Sequence, residues 1–379
     1  MKRILSLLLL STLLFTFVAC GGNTANGDES TASTTEAPAT EAPTTEAATE
    51  AATEAPTTEA ATTEAATTEA ATTEAPTTEA PTEEPTTEEP KEDKFVYKHV
   101  IIVGIDGMGA YHLQDKASTP NLDRIFADYA LTDVAQTYNP VASGPCWTSM
   151  FTGVDPRVMK LAVNPYDDDT YNQKKYVEAV EKYSTIFHQV KEAYPEANVA
   201  SVSRWVLLQD LLFGDSDINQ KFTPTQWTTA EELHYSLEHI EKMDPNGINL
   251  AYFYFCEPDS TGHVSEWGSD AFHAKLTEVD AAMGDIFDAL EAKGMLEDTL
   301  FIVTTDHGGK GTKHGHIYEP EALTITLGFR GKTVSNIKDF DMLFRDVAPI
   351  VLEAMGVEPL ESWAKLSAPP AIPEGLFID

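Results

Sequence analysis

The segment LFIVTTDHGG, residues 300–309, decides the fold class of this chain. Its first half is a continuous run of apolar and β-branched residues, which is typical of a strand buried on both faces of a sheet. An aspartate, a histidine and two glycines follow directly. Two other segments also lead from an apolar run to an aspartate, namely HVIIVGID at residues 99–106 and AYFYFCEPD at residues 251–259. The pattern predicts parallel strands that carry carboxylates at their carboxyl ends, where ligands gather in open α/β sheets.

An amphipathic helix is predicted between the second and third of these strands. Its apolar residues recur in alternating steps of four and three: Phe272, Leu276, Val279, Met283, Ile286 and Leu290. Ser269 is a suitable N-cap for this helix, and Gly294 is a suitable residue to end it. Strands that alternate with helices indicate an α/β domain whose sheet is covered on both faces.

Histidines accompany the strand-end aspartates in two predicted glycine-containing loops that follow the strands, residues 259–263 and 306–316. Carboxylate oxygens and imidazole nitrogens, without clustered thiolates, are the ligands of a catalytic zinc site that keeps one position open. Carboxylates brought together without a cation would repel one another and resist ionisation. We therefore predict a cation site at this edge of the sheet. The candidate ligands are Asp106, Asp259, His263, Asp306, His307 and His314, with His316 as the alternative to His314.

A candidate nucleophile lies in PVASGPCWTSMFTG, residues 140–153. Ser143 precedes a Gly-Pro turn and a run of residues that could open a helix. A serine at a helix N-terminus lies close to backbone N–H groups and a dipole that favour anions. The same pattern is also typical of an ordinary N-cap, so the residues alone leave its role open.

Together these motifs resemble the alkaline phosphatase superfamily, and within it the type I phosphodiesterase/nucleotide pyrophosphatase branch. The resemblance extends from about residue 100 to residue 331. It rests on IIVGIDGMG, TPNLDRIF, SGPCWTSMFTG, CEPDSTGH, EVDAAMGDIFDAL, TTDHGG and KHGH. It implies a three-layer α/β/α core with a mostly parallel central sheet and a small cap or insertion, and an enzyme that hydrolyses phosphate esters.

The resemblance also implies roles for single residues. Two divalent metal ions, expected to be Zn²⁺, would be bound. The ligand sets would be Asp106, Ser143, Asp306 and His307 for one ion, and Asp259, His263 and His314 for the other. Ser143 would be the metal-activated nucleophile and would form a covalent phospho-enzyme intermediate. Asn164 and the backbone N–H after Ser143 would contact phosphoryl oxygens. The expected substrate is a small phosphate ester of the nucleotide or phosphodiester class.

Three other functions compete with a phosphodiesterase. A phosphomonoesterase would use the same metal site, but the lack of an obvious arginine clamp favours diesters. A sulfatase would need an arginine four residues after the nucleophile, where this sequence has Trp147. An inactive surface-binding protein would be expected to have lost at least one metal ligand, yet every expected position is filled.

The first twenty residues predict export and membrane anchoring. Residues 1–20 begin with Lys2 and Arg3, continue as one apolar run and end on small residues before Cys20. These are marks of a secretory signal, and Cys20 in this place resembles the lipidation site of bacterial lipoproteins. The expected location is the bacterial cell surface, with a lipid anchor to the membrane. The alternative is an ordinary signal peptide that releases the protein.

The rest of the chain divides by composition. Residues 21–94 consist almost entirely of Thr, Glu, Ala and Pro, so they cannot bury a core, and we predict a disordered stalk. Residues 95–379 form the predicted catalytic domain. Within it, residues 165–250 are the predicted substrate-selecting insertion, and Trp205 is the candidate wall of a substrate pocket.

Charge and cysteine content narrow the function further. The chain has a formal net charge of −36, with 61 acidic and 25 basic residues. Such a charge repels polyphosphate backbones, so we expect no long nucleic acid as a partner. Apart from Cys20, the sequence contains only Cys146 and Cys256, which is too few for a disulfide framework and leaves their pairing open.

Overall fold

The computed structural model describes residues 95–113, 118–214, 218, 220–226, 228–315 and 318–378. The predictions for the signal segment, for Cys20, for the stalk of residues 21–94 and for His316 lie outside these residues. Within them, no helix combines the length and the apolar character needed to span a membrane.

The described residues form seven strands and eleven α-helices. The strands are β1 (His99–Ile105), β2 (Ala130–Gln136), β3 (Asn198–Val202), β4 (Gln220–Phe222), β5 (Asn249–Phe255), β6 (Thr299–Thr304) and β7 (Thr324–Arg330). The helices are α1 (Pro120–Phe126), α2 (Ser143–Thr152), α3 (Pro156–Met159), α4 (Thr170–Tyr183), α5 (Ile186–Ala193), α6 (Val206–Leu212), α7 (Thr229–Lys242), α8 (Glu257–Ser265), α9 (Asp270–Ala292), α10 (Pro320–Leu323) and α11 (Val347–Ala354). Short 3₁₀ helices cover Leu296–Asp298, Phe344–Asp346 and Trp363–Lys365.

The strands form one sheet with the order β2-β7-β6-β1-β5-β3-β4. Strand β7 is antiparallel to β6 and β2, and the other pairings are parallel. In the centre, Val103 of β1 pairs with Phe253 of β5 and with Val303 of β6. The carboxyl ends of β1, β5 and β6 therefore lie side by side, and the predicted mostly parallel sheet is confirmed.

Helices cover both faces of the sheet. Alternate residues of β1 enter two separate apolar clusters, Val100 and Ile102 on one face and Ile101 and Val103 on the other. The first cluster includes residues of α2, α4, α5, α6 and α11, and the second includes residues of α1, α7 and α9. Because β1, β5 and β6 are buried on both faces, their sequences are continuous apolar runs and do not alternate between apolar and polar residues. The predicted three-layer α/β/α architecture is confirmed.

The predicted helix after the second strand is α9, and both of its ends are as expected. The Ser269 hydroxyl accepts a hydrogen bond from the N–H of Phe272 at 3.2 Å. Gly294 has a φ of +72°, a conformation that glycine adopts at little cost. The helical period of the apolar residues was therefore a reliable signal for this element.

The segment around Asp259 differs from the prediction. Strand β5 ends at Phe255, and Asp259 and His263 lie on α8 rather than in a glycine-containing loop. Gly262 lies inside this helix. The position requires glycine because an added Cβ would lie 2.4 Å from Cε2 of the packed Trp267 ring. Tertiary packing thus overrides the low helix propensity of glycine.

Residues 165–250 are built into the central sheet. Their described part supplies β3 and β4 as well as helices α4 to α7. Strand β3 pairs with β5, with Val202 opposite Phe253. A role of this segment in substrate selection stays a prediction.

The two cysteines of the described residues form no disulfide bond. Cys146 and Cys256 are both buried, and Thr137 donates a hydrogen bond from its hydroxyl to the Cys146 sulfur at 3.2 Å. Burial raises the pKa of the Cys146 thiol to about 12. Cys146 is therefore a packed, protonated side chain rather than a nucleophile.

Candidate active site

Three chain segments bring three aspartates together at the carboxyl edge of the sheet. Asp106 directly follows β1, Asp306 lies just beyond β6, and Asp259 lies in the first turn of α8. Gly107 connects them, because its N–H donates a hydrogen bond to Oδ1 of Asp306 at 3.1 Å. Its φ is +69°, and an added Cβ would lie 2.7 Å from Cα of Asp259. The close approach of these segments therefore requires glycine at this position.

The inner cluster consists of Asp106, Asp306 and His307, which are all buried. Nε2 of His307 lies 3.5 Å from Oδ1 of Asp106 and 3.3 Å from Oδ2 of Asp306. Ligands at about 2.1 Å from a tetrahedral Zn²⁺ ion are about 3.4 Å apart. The spacing of these atoms therefore suits a common metal ion.

The outer cluster consists of Asp259, His263 and His314, and it is more open to solvent. Nε2 of His263 and Nε2 of His314 lie 3.5 and 3.6 Å from Oδ1 of Asp259. Asp259 and His263 face the same side of α8 because they are four residues apart. His307 connects the two clusters, since its ring stacks on that of His314 with 4.0 Å between centroids.

All three histidines are held in one tautomer by backbone carbonyl groups. The Nδ1 contacts are His307 with Gly308 at 2.9 Å, His314 with Val141 at 3.2 Å and His263 with Thr312 at 3.0 Å. A carbonyl oxygen only accepts hydrogen bonds, so Nδ1 carries the proton in each ring. The Nε2 lone pairs are then directed at the carboxylates, which is the arrangement of metal-binding histidines.

Among the described residues, the recorded ion-pair partners of the three clustered aspartates are histidines, and none is a lysine or an arginine. Burial raises the pKa of Asp106 to about 6, and burial followed by repulsion from Asp106 raises the pKa of Asp259 and of Asp306 well above the ordinary value. Burial also lowers the pKa of His307, and lowers that of His314 to about 4, so these rings are neutral. Oδ1 of Asp259 and Oδ2 of Asp306 are buried without a hydrogen-bond donor among the described residues. This donor set fits divalent cations.

Ser143 lies against the inner cluster. It is the first residue of α2, which confirms the predicted start of a helix. Its Oγ lies 3.1 Å from Nε2 of His307 and 3.5 Å from Oδ1 of Asp106. A single hydroxyl group is thus directed at two candidate ligands of the same ion.

Asn164 lies close to Ser143, and its side chain contacts the backbone after Ser143. Its Oδ1 accepts a hydrogen bond from the N–H of Gly144 at 2.8 Å. The N–H after Ser143 is therefore already engaged, Pro145 has none, and that of Cys146 donates to the carbonyl of Ala142 at 3.1 Å. Among the described residues, the side-chain Nδ2 of Asn164 has no recorded hydrogen bond and is one donor close to Ser143.

Sequence reasoning missed two side chains that support Asp106. Tyr254 donates a hydrogen bond from its hydroxyl to Oδ2 of Asp106 at 2.5 Å, and Nε1 of Trp147 donates to the same oxygen at 3.4 Å. Trp147 belongs to the motif that contains Ser143, but nothing in the sequence relates Tyr254 to β1. A third missed residue is Trp267, whose Nε1 donates to the carbonyl of Gly107 at 2.8 Å.

A small cavity lies beside Tyr254. Its walls include Phe151, Trp205, Leu208, Phe213, Tyr252 and Tyr254. The structure therefore places the predicted wall residue Trp205 in a cavity that Tyr254 separates from Asp106.

Residues 100–326 match the family model of type I phosphodiesterases/nucleotide pyrophosphatases. The chain belongs to this family. The predicted resemblance is thereby confirmed, and the chain is an enzyme of phosphoric ester chemistry, a hydrolase or a transferase. Members of the family use divalent metals, in agreement with the donor set of the inner cluster.

Three known proteins show how far the similarity extends. GPI ethanolamine phosphate transferase 2 of Aspergillus fumigatus is 25% identical over 249 residues, which are 63% of this chain and only 31% of the transferase. Murine ectonucleotide pyrophosphatase/phosphodiesterase 5, an inactive variant in complex with AMP, has a TM-score of 0.54 at 13% identity and covers 69% of this chain and 96% of its own. An alkaline phosphatase superfamily protein from Vibrio parahaemolyticus has a TM-score of 0.51 at 17% identity, with coverages of 69% and 67%. At these identities the two structures show a common fold.

Proposed function

We propose that this chain is a metal-dependent phosphodiesterase that cleaves a small phosphate ester through Ser143. The observation that carries the proposal is the position of the Ser143 Oγ, 3.1 Å from Nε2 of His307 and 3.5 Å from Oδ1 of Asp106. A serine hydroxyl is a weak nucleophile at neutral pH. A hydroxyl beside the ligands of a divalent cation can be activated, because coordination to the cation lowers its pKa.

The proposal includes two metal ions, which we take to be Zn²⁺. The inner cluster and Ser143 would hold one ion, and the outer cluster would hold the second. When bound, the ions would lower the pKa of the serine hydroxyl and stabilise charge on the attacking and leaving oxygens. Support comes from the tautomers of the three histidines and from the carboxylate oxygens that lack a donor.

The proposed reaction has two steps. In the first, the Ser143 Oγ forms a bond to phosphorus, the bond to the leaving oxygen breaks, and the serine proton ends on the leaving alcohol. In the second, water displaces the Ser143 Oγ from phosphorus, and the serine regains a proton. The Nδ2 of Asn164 is placed to donate to a non-bridging oxygen, because its Oδ1 is fixed by the N–H of Gly144.

The charge of the site favours diesters over monoesters. Within the described residues, the recorded ion pairs of Asp106, Asp259 and Asp306 involve histidines and neither lysine nor arginine. A monoester dianion would gain more from a guanidinium clamp than a diester monoanion would. The similarity to a transferase suggests an alternative second step, in which an alcohol instead of water accepts the phosphoryl group from Ser143.

The test is a substrate panel on the full-length protein. Bis-p-nitrophenyl phosphate, p-nitrophenyl phosphate, a nucleotide p-nitrophenyl ester and p-nitrophenyl sulfate are compared with and without a chelator, and with and without ethanolamine as an acceptor. We expect the diesters to be cleaved fastest, and the activity to disappear with the chelator and return with Zn²⁺. Full activity in chelator would refute the metal dependence, and a preference for the sulfate would refute the proposed substrate class.

We also propose that Cys20 is lipidated and anchors the protein at the cell surface. The support is the sequence of residues 1–20, with its basic start, apolar run and terminal cysteine. In a bacterial host, a Cys20→Ser variant should move from the membrane fraction to the soluble extracytoplasmic fraction. An unchanged distribution would contradict the anchor.

A further inference from the structure

The two carboxylate oxygens of Asp106 have different surroundings. Oδ2 accepts the hydroxyl of Tyr254 at 2.5 Å and Nε1–H of Trp147 at 3.4 Å. Oδ1 faces the opposite way, 3.5 Å from the Ser143 Oγ and 3.5 Å from Nε2 of His307. One oxygen is thus held by the protein, and the other is presented to the candidate metal and the nucleophile.

The sheet itself positions the two donors. Tyr254 lies on β5 and pairs with Gly104 of the neighbouring strand β1. Gly104 precedes Asp106 by two residues along the chain. Its ring and that of Trp147 meet edge to face with 5.9 Å between centroids. Trp147 is completely buried, and Tyr254 is 4% exposed. Neither hydroxyl nor indole N–H can turn to water, so both donors stay on Oδ2.

Among the described residues, no side chain donates a recorded hydrogen bond to the carboxylate of Asp259 in the outer cluster. Oδ1 of Asp259, which faces the histidines, has no hydrogen-bond donor among the described residues. Helix α8 carries Asp259 and His263, and 39% of the His263 side chain is exposed to solvent. Hydrogen bonds behind a ligand fix its orientation and raise metal affinity. Among the described residues, backbone carbonyl groups hold the histidines of both clusters, whereas buried side-chain donors to the carboxylate distinguish Asp106 from Asp259.

We propose that Tyr254 is a positioning residue of the inner metal site, which keeps Asp106 a one-oxygen ligand and sets the affinity of the inner ion but not of the outer one. This inference rests on the proposed metal sites of the preceding section. Without the hydroxyl, Oδ2 would lose its shortest hydrogen bond in a buried place. The carboxylate could then rotate towards a two-oxygen contact, and part of its binding free energy would be lost.

The test is a calorimetric titration of the metal-free protein with Zn²⁺. The variants are Tyr254→Phe and, as the matched control, Tyr252→Phe, which loses the same hydroxyl from the same strand and face but without a contact to Asp106. We expect two binding steps in the wild type. In Tyr254→Phe, one step should weaken by about 10- to 100-fold and the other should not change, which is the usual effect of losing a partner of a metal ligand. Tyr252→Phe should match the wild type.

Three additional variants assign the weakened step to one of the two clusters. His263→Ala should weaken the outer step alone, and adding Tyr254→Phe to it should weaken the other step as well. Trp147→Phe removes the second donor to Oδ2 and should weaken the same step to a smaller extent. The Co²⁺-loaded forms give a second readout, since a changed inner ligand geometry alters the visible spectrum of Tyr254→Phe but not that of Tyr252→Phe.

Three results would overturn the inference: a wild type without a Zn²⁺-binding step, a Tyr254→Phe protein with wild-type affinities, or equal weakening in Tyr252→Phe. The titration does not depend on turnover. A wild type that binds two Zn²⁺ ions but cleaves no phosphate ester would refute the proposed function, and the Tyr254 result would still decide the inference.

Discussion

The inner and outer clusters are built from different parts of the fold. The inner cluster comes from the ends of β1 and β6, which pair in register, and its three ligands are buried. The outer cluster comes from α8 and the segment that contains His314, and it is partly exposed. A sheet fixes its strand ends through hydrogen bonds on both sides, whereas a helix and a loop shift more easily. We expect the inner cluster to be the more preorganised of the two, and the outer cluster to exchange a bound ion more readily.

The largest expected difference between the clusters concerns the loss of one ligand from each. Asp306→Asn should lower kcat by about 10³-fold, since a bound metal ion supplies several kcal/mol of transition-state stabilisation. His263→Ala should lower kcat by only about 10-fold, because water can reach this exposed position and act as a ligand. The measurement is steady-state hydrolysis of bis-p-nitrophenyl phosphate at saturating Zn²⁺, with circular dichroism as the control for folding. A larger loss in His263→Ala would reverse the comparison.

The next expected effect concerns Asn164, whose side chain lies beside the inner cluster and Ser143. Asn164→Ala should lower kcat by about 10²-fold with little change in KM, which is the usual effect of removing one donor to a developing oxyanion. The matched control is Asn172→Ala, since the Asn172 side chain bonds Asp169 on α4 and not the nucleophile's helix. A rise in KM at unchanged kcat would show that Asn164 contributes to substrate binding alone.

A smaller effect is expected behind the outer cluster, where Glu232 accepts the N–H of Cys256 at the start of α8. Burial raises the pKa of Glu232 from 4.5 to about 8 in the folded protein. The folded state thus holds this proton more tightly than the unfolded state does. The contribution of this proton to the free energy of unfolding is complete below about pH 4.5 and is lost as the pH rises through about 8.

Glu232→Gln should therefore flatten the pH dependence of stability. Between pH 5 and pH 9 the Tm of the wild type should fall by more than that of the variant, as thermal unfolding of the metal-free proteins would measure. Glu241→Gln, at an exposed position of the same helix α7, is the control and should show the pH dependence of the wild type. Parallel Tm profiles for all three proteins would show that Glu232 is not protonated in the folded state.

The sequence was most informative for the inner cluster. Strands buried on both faces must be apolar throughout, so HVIIVGID and LFIVTTDH could be recognised and their terminal aspartates placed at one edge. The start of α2 at Ser143 and the ends of α9 could also be predicted, because caps and periodicity are local signals.

The rest depended on contacts that local patterns do not encode. Helix α8 was missed because Gly262 favours a loop by itself, and only the ring of Trp267 explains a glycine inside the helix. Tyr254 was missed because a strand that is apolar throughout does not indicate which face each side chain takes. The hydrogen bond between Gly144 and Asn164 joins residues twenty positions apart. Only the folded chain could show that this N–H is already used.

The central claim is that Ser143 attacks phosphorus at a metal site, and a comparison at equal metal content tests it most directly. Wild type, Ser143→Ala and the control Ser149→Ala from the same helix are loaded with Zn²⁺, their zinc content is measured, and hydrolysis of bis-p-nitrophenyl phosphate is followed. At matched zinc content we predict wild-type rates for Ser149→Ala and a loss of at least about 10³-fold for Ser143→Ala, as expected for a missing nucleophile. Wild-type turnover by zinc-loaded Ser143→Ala would contradict the account.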